Sequence, residues 1–371
     1  MVAPILEAKN LLWKVKNKTI VNINKFQICS GEHIALIGPN GSGKSSLIKL
    51  LAFLEKPSAG EIIFQGIGPK SSVIDKRREM AVVFQEPLLL NMKVYDNVAY
   101  GLKLRRSNVN IKERVDYWLG KLNISHLKNR YPKNLSGGEA QRTSIARALA
   151  LEPKILILDE PFNALDAPTR AQLLEEMNLL VRQSDMTSIF ITHDFSELPF
   201  LADKIFVMSE GEIVQQGSLE DIFYRPANEV VANLVGADNH YEVTISERYS
   251  ADKYNIKLND SCISLAVHTS ESQDFNPDQK LKAFIRSDDV ELGAKGENKL
   301  DGYVKRISPH GFQFKILVDC GFELNVVISK QQFIELNLKN NDKLTVSVDP
   351  KKIHVITDVV SQRSEIGKSF G

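Results

Sequence analysis

The chain is poor in cysteine: Cys29, Cys262 and Cys320 are the whole set in 371 residues. An odd, scattered trio without a C-x-x-C pair excludes a disulfide framework and argues against a thiolate metal centre. It fits a reducing compartment. Long apolar runs are also missing. Nothing approaches the roughly 20 residues a helix needs to span a bilayer, so any work at a membrane requires docking to another protein. Neither sign of charge is in excess. There are 47 basic and 46 acidic side chains, for a formal net charge of +1, which leaves no electrostatic footprint for nucleic acid. The opening residues, Met1 to Glu7, carry no secretory pattern. These absences predict a cytoplasmic protein. What remains, 43% apolar and 25% charged residues, is the composition of a globular chain long enough for two or three domains.

The most informative stretch is Gly38-Pro39-Asn40-Gly41-Ser42-Gly43-Lys44-Ser45-Ser46. An apolar run, residues 33–37, precedes it, and a helically periodic segment, 47–54, follows. The spacing G-x-x-x-x-G-K-S between a strand and a helix matches a phosphate-binding loop. Gly38, Gly41 and Gly43 lack a Cβ, so the backbone can approach a polyphosphate and turn successive N–H groups inward. The next helix adds its free N–H groups and the positive end of its dipole. Lys44 is placed to reach the β- and γ-phosphates, and Ser45 to bind Mg²⁺.

Other signals follow along the chain. Residues 5–13 and 19–28 alternate as antiparallel strands do. A short strand, 81–84, ends at Gln85, ahead of Pro87; that side chain can swing toward Mg²⁺ or the γ-phosphate. Residues 96–127 read as helical. Leu135-Ser136-Gly137-Gly138-Glu139 forms a capping box, with Ser136 as the cap and Glu139 reaching back. Two glycines in that first turn each cost about 1 kcal/mol of helix stability, which makes sense if a phosphate must approach. Residues 155–158, after Lys154, are apolar without alternation, as in a strand buried on both faces of a parallel sheet. Asp159 and Glu160 stand at its carboxyl end, where such sheets bind ligands. Neighbouring strand residues point oppositely, so one acid can face Mg²⁺ and the other an attacking water. Asn163 and Asp166 follow in a loop. A second buried strand, 188–192, ends at His193 on the same edge. Residues 204–215 read as a hairpin, and 219–235 as helices broken at Pro226.

Beyond Gly236 short alternating strands take over, and they repeat. Residues 278–286 parallel 341–349; 254–258 and 262–267 parallel 312–316 and 322–327. Two related five-strand units, about 240–292 and 297–357, suggest a pair of small barrels of the OB kind. The polar tail, 359–371, is expected to fray. Asn298-Lys299-Leu300-Asp301 fits a guanine-reading pattern but lies in this strand-rich part, far along the chain from Lys44, and receives no weight.

Taken in order, these motifs resemble the nucleotide-binding subunit of ABC transporters over residues 1–236. The resemblance implies an α/β P-loop NTPase fold: a RecA-like core, an antiparallel β subdomain and a helical subdomain. It implies that Gly38 to Ser46 is the Walker A loop and Gln85 the Q-loop residue. Asp159 then belongs to Walker B with Ser45 and Gln85 as its partners toward Mg²⁺. Glu160 is implied as the catalytic base, with Lys44 and His193, the switch histidine, beside it. Asn163 to Asp166 is the D-loop, where the family more often has Ser at 163. An aromatic usually stacks on adenine near Val15; here the nearest is Trp13. In the family, ATP lies between two cassettes, and Leu135, Ser136, Gly137, Gly138 and Glu139 of one cover the γ-phosphate held by the other. One cassette per chain therefore implies a homodimer working with ATP and Mg²⁺. It also implies membrane permease subunits and, indirectly, an extracytoplasmic solute-binding protein, with the dimer peripheral on the inner membrane face.

Residues 237–358 resemble the TOBE domain of prokaryotic importer ATPases, in its molybdate-binding-like form, through Asn298-x-Leu300-x-Gly302-x-Val304. The family's S-A-R ahead of that Asn is replaced by Lys295-Gly296-Glu297, and an acid at Glu297 would repel an oxyanion. The tail favours an importer, with molybdate or tungstate expected and sulfate, ferric iron, polyamine or sugar as rivals. Two other classes, a soluble ABC ATPase acting on ribosomes or DNA and a non-catalytic anion sensor, fit less well. Paired cassettes and long inserted coiled coils are missing, and the acid pair and His193 are intact.

Overall fold

The computed structural model describes residues 4–68, 72–106, 108–163, 165–250, 252–269, 275, 281–293 and 296–357. Ala164 of the D-loop, residues 278–280 of the repeat, Lys295 and the tail 359–371 lie outside the described residues. The chain divides into two units, Met1–Leu219 and Glu220–Gly371.

In the first unit β1 (Pro4–Val15), β2 (Lys18–Cys29) and β3 (His33–Ile37) lead into α1 (Lys44–Leu51). Next come β4 (Ala59–Phe64), α2 (Val73–Arg78) and β5 (Met80–Val83), then α3 (Val94–Leu104), α4 (Ile111–Lys121) and α5 (Gly137–Leu149). β6 (Ile155–Asp159), α6 (Ala167–Arg182), β7 (Thr187–Ile191), α7 (Leu198–Leu201), β8 (Lys204–Ser209) and β9 (Glu212–Gly217) complete it. The central sheet runs β5-β6-β7-β3-β8-β9. Its first five strands are parallel, and β9 returns antiparallel on β8. β6 shows why the unit is layered: Leu156 and Leu158 enter the apolar cluster under α3 to α6, while Ile155 and Ile157 enter the one under α1, β1 and β2. A strand wetted on neither face needs no alternation. The alternating segments at the start form a separate antiparallel sheet, β2-β1-β4.

The region 96–127 is not one helical stretch. α3 ends at Leu104, Arg106 takes a left-handed φ of 50°, and Asn110 restarts the chain by capping α4 through Glu113 N. An Asn that can accept from the backbone competes with helix continuation and favours a new cap.

The second unit holds α8 (Leu219–Tyr224), α9 (Glu229–Leu234), β10 (Asn239–Arg248), β11 (Lys253–Leu258), β12 (Ser264–His268), β13 (Leu281–Ile285) and β14 (Val290–Leu292). β15 (Asn298–His310), β16 (Gln313–Asp319), β17 (Glu323–Ser329), α10 (Lys330–Leu336), β18 (Lys343–Val348) and β19 (His354–Thr357) follow. Residues 220–236 group with these strands rather than with the first unit. Ala232 packs with Phe284, Lys282 pairs with Glu229 at 2.7 Å, and His354 Nε2 lies 2.9 Å from Pro226 O.

The two five-strand repeats form two five-stranded sheets around one apolar core, an OB-like arrangement with an exchange. β14, last of the first repeat, pairs with β18 of the second; β19, last of the second, pairs with β13 of the first. Buried asparagines tie the repeats symmetrically. Asn239 Nδ2 donates to Asn325 O (2.9 Å) while its Oδ1 accepts from Asn325 N (2.6 Å). Asn298 does the same with Ala266, at 2.8 and 2.6 Å. The guanine-reading pattern is thereby explained: Asn298 is a backbone clasp, and exposed Asp301 accepts from Thr345. Replacing Asn298 by Ala leaves the part-buried N–H and C=O of Ala266 unpaired, an expected cost of about 2 kcal/mol. Denaturant-dependent hydrogen exchange on the full chain, read at the amides of this unit, should show its transition at lower denaturant.

Candidate nucleotide site

The loop after β3 is held by what surrounds it. A Cβ at Gly38 would lie 2.0 Å from Met208 O, and one at Gly43 2.7 Å from Ile20 O. Gly211, in the β8–β9 turn, donates to Ser42 O at 2.9 Å. The loop is therefore wedged between this turn and the start of β2, with room for bare backbone only at Gly38 and Gly43. Gly43 caps α1 in the left-handed region without a side-chain hydrogen bond, so the helix offers its first N–H groups to an anion. The Ser42 hydroxyl is buried and has no partner among the described residues. Lys44, also buried, donates to the carbonyls of Gly38 (2.8 Å) and Pro39 (3.0 Å). Burial lowers its pKa, while Glu160 and Asp159 act in the opposite sense. Pro39, Asn40 and Ser45 are exposed and Ser46 is half-buried. These features fit a polyphosphate.

β6 delivers the acids. Asp159 accepts a hydrogen bond from Ser45; burial nonetheless raises its pKa, since desolvation outweighs that bond and the nearby lysines. A hydroxyl and a carboxylate meeting beside a phosphate loop are hard oxygen donors suited to Mg²⁺, which keeps waters and phosphate oxygens as its other ligands. Bound there, the ion would neutralise charge developing on the transferred phosphoryl group. Glu160 leaves the strand with a left-handed φ of 47°, fixed by its N–H to Ile191 O at 3.0 Å. Its Oε1 lies 3.3 Å from His193 Nδ1, and its Oε2 accepts from the Asn163 amide. The two acids thus face different partners, and the turn at Glu160, outside β6, rather than strand alternation separates them.

Lys44, Ser45, Asp159, Glu160 and His193 are brought together. The signature turn engages other partners. Ser136 N donates to Glu139 Oε2 (2.7 Å) and Glu139 N to Ser136 Oγ (3.3 Å), completing the capping box. That backbone bond first, and then the Ser136 hydroxyl, hold the Glu139 pKa below its ordinary value. Leu135 packs on the core under α3 to α6, while Ser136 and Gly137 are exposed. Gly138 has a packing reason within the chain: a Cβ there would lie 3.0 Å from Thr169 Cγ2 and 3.4 Å from Leu165. The need for two glycines is therefore not a phosphate argument alone. Asp166 caps α6 through Thr169 N at 3.0 Å. Gln85 is exposed just past β5. Trp13 is half-buried against the core shared with β2, beside a register shift, whereas Val15 is 42% exposed.

Two arginines escaped the motif reading. Arg147, at the far end of the signature helix, donates to Pro87 O and Leu88 O, both at 3.0 Å, and so secures the loop after Gln85. Arg170 on α6 reaches Glu197 (2.9 Å) and Asp194 (2.6 Å), and Glu197 in turn accepts from Thr192 at 2.5 Å. Both neighbours of His193 are held by this network. Burial raises the Asp194 pKa, but the bonds from Ser196 and Arg170 prevail and leave it lowered. The only sequence trace was an acid pair, Asp194 and Glu197, just after the histidine.

A strand-loop-helix phosphate cradle at the edge of a parallel sheet, with an acid pair on the neighbouring strand, defines a P-loop ATPase. Residues 21–163 match the family model described as ABC transporter. The chain is 35% identical to the sulfate/thiosulfate import ATP-binding protein CysA of Pseudomonas putida over 80% of this chain and 89% of that protein. It is 35% identical to the spermidine/putrescine import ATP-binding protein PotA of Haemophilus influenzae, over 80% and 79%. It is 32% identical to the Fe(3+) ions import ATP-binding protein FbpC of Photobacterium profundum, over 91% and 94%. Among solved structures it resembles the ATP-binding cassette MJ0796, a dimer in a post-hydrolysis state bound to ADP and Pi. The TM-score is 0.54 at 27% identity, covering 58% of this chain and 98% of that one. It also resembles cbiO1 from Clostridium perfringens, with a TM-score of 0.54 at 31% identity over 63% and 95%. The chain belongs to the ABC transporter family and is an ABC-type ATPase.

Proposed function

We propose that the protein is the ATP-hydrolysing subunit of an import complex, working as a homodimer on the cytoplasmic face of the membrane. The observation that carries this reading is the half-site within one chain. Lys44, Ser45, Asp159, Glu160 and His193 converge, whereas the helix cap at Ser136 engages Glu139 and leaves its outer face exposed. A second copy would bring that cap to the γ-phosphate. Glu160 polarises the attacking water, Lys44 and Mg²⁺ take up phosphoryl charge, and His193 steadies the γ-phosphate side. Gln85 and the loop held by Arg147 would carry closure to permease subunits. Trp13, the aromatic nearest Val15 along the chain, is assigned to the adenine. Among the described residues no helix is long and apolar enough to cross a membrane, so the passage belongs to partners.

For cargo the reading is a tetrahedral oxyanion, molybdate or tungstate first and sulfate beside it. The sulfate/thiosulfate relative supports the class, and the spermidine/putrescine and Fe(3+) relatives keep polyamine and ferric iron as rivals, with sugar. The C-terminal unit is assigned a structural part in this reading, because Glu297 stands 3.8 Å from His268 where an anion would need donors. Uptake of labelled molybdate, tungstate, sulfate, spermidine and ferric iron by a deletion strain tests it. Loss of oxyanion uptake, restored by the wild-type gene, is expected. Loss confined to spermidine or iron overturns the cargo. Undiminished uptake of every solute, with the protein sedimenting on ribosomes, overturns the transport role.

A further inference from the structure

The carboxylate of Glu160 is gripped from two sides. Its main chain is already fixed by a left-handed φ and by the N–H bond to Ile191 O. Its side chain, which would otherwise turn about three bonds, has His193 Nδ1 on one oxygen and the Asn163 amide on the other. The Asn163 backbone closes the same turn, its N–H pointing to Glu160 O at 3.4 Å. Glu160 is 17% exposed and Asn163 half-buried, whereas His193 is 57% exposed. The histidine is thus the freer of the two anchors.

We propose that Asn163 is a positioning residue for hydrolysis, setting where the Glu160 carboxylate points. The proposal rests on Glu160 being the base. An amide nitrogen can donate but not accept, so Asn163 can orient the carboxylate without competing for the proton that Glu160 must take. Each carboxylate oxygen keeps a second lone pair, which leaves room for water beside both anchors. A base held by a third group is a recurrent arrangement, because a fixed carboxylate need not be reoriented at each turnover. The amide also extends one bond farther than a Ser hydroxyl, which is the reach this turn uses.

The test is a series at one position, run on the full chain. Asn163→Ser, Asn163→Ala and Asn163→Asp should lower kcat in that order. The Ala variant should fall about tenfold, less than the roughly 10²–10⁴-fold a general base itself contributes, and Asp should fall further because it faces a carboxylate with a carboxylate. KM for MgATP should stay unchanged. In a Glu160→Gln background, Asn163→Ala should cause no further fall in the single-turnover rate, since its target is already gone. A readout independent of turnover comes from NMR of asparagine-labelled protein without nucleotide. The Asn163 side-chain amide resonance, assigned by its loss in Asn163→Ala, should shift upfield in Glu160→Gln. Wild-type kcat in Asn163→Ala and Asn163→Asp, a raised KM with kcat intact, or an additive loss in the double variant would each overturn the proposal while leaving the base in place. A Glu160→Gln protein that turns over at the wild-type rate removes the base itself, and this proposal with it.

Discussion

Glu160→Gln is expected to lower ATP turnover by about 10²–10³-fold, roughly 2.7–4 kcal/mol of barrier, while leaving MgATP binding intact. The substitution keeps the shape of the side chain and its main-chain anchor at Ile191, and removes only the charge that polarises water. Lys44, Ser45 and Asp159, which meet the phosphates and the ion, are untouched. Binding without hydrolysis should make the closed pair of protomers long-lived. Sedimentation with MgATP should then show a dimer in the variant at concentrations where the wild-type protein is mostly monomer. Wild-type turnover would show that another group activates the water; a variant that stays monomeric at every concentration would remove the two-copy site.

Gly38→Ala should abolish nucleotide binding and cost more stability than the same change at Gly41. At Gly38 the new methyl would stand 2.0 Å from Met208 O and 3.0 Å from Ser42 Oγ. The obstacle at Met208 is main chain in β8, so it cannot rotate away, and either the loop or β8 must move. A clash of this kind belongs with the rare substitutions costing about 4 kcal/mol or more. At Gly41 nothing lies within 4 Å; the penalty there is the left-handed φ of 81° alone, about 1–2 kcal/mol. Thermal unfolding of both variants, with and without MgATP, checks the order. Equal melting temperatures would mean that the contact with β8 is not rigid.

What could be read in advance was local. The phosphate loop, the capping box at Ser136 and the unalternating strand before Asp159 are each decided by residues within a few positions of one another. Their geometry follows from propensity and spacing. The Arg170 network was not readable, because its partners lie on other elements, 24 and 27 positions away. Gly138 was read too narrowly for the same reason: Thr169 fills the space beside it, and nothing near Gly138 in the chain announces that. The interruption between α3 and α4 was legible in principle, since Asn110 followed three residues later by Glu113 is a cap signal, but the apolar stripe across 96–127 outweighed it. In the C-terminal unit the repeat was visible and its pairing was not. Strand similarity tells which segments correspond, yet it does not tell which copy each fifth strand joins.

That crossing of β14 and β19 bears on biosynthesis. On the ribosome, β10 to β13 emerge well before β19, so the sheet of the first copy has an unpaired flank until the second copy has been translated. Each sheet is completed only by a strand from the other copy. A frameshift near residue 350 would remove β19 and so leave β13, in the sheet made first, without its neighbour.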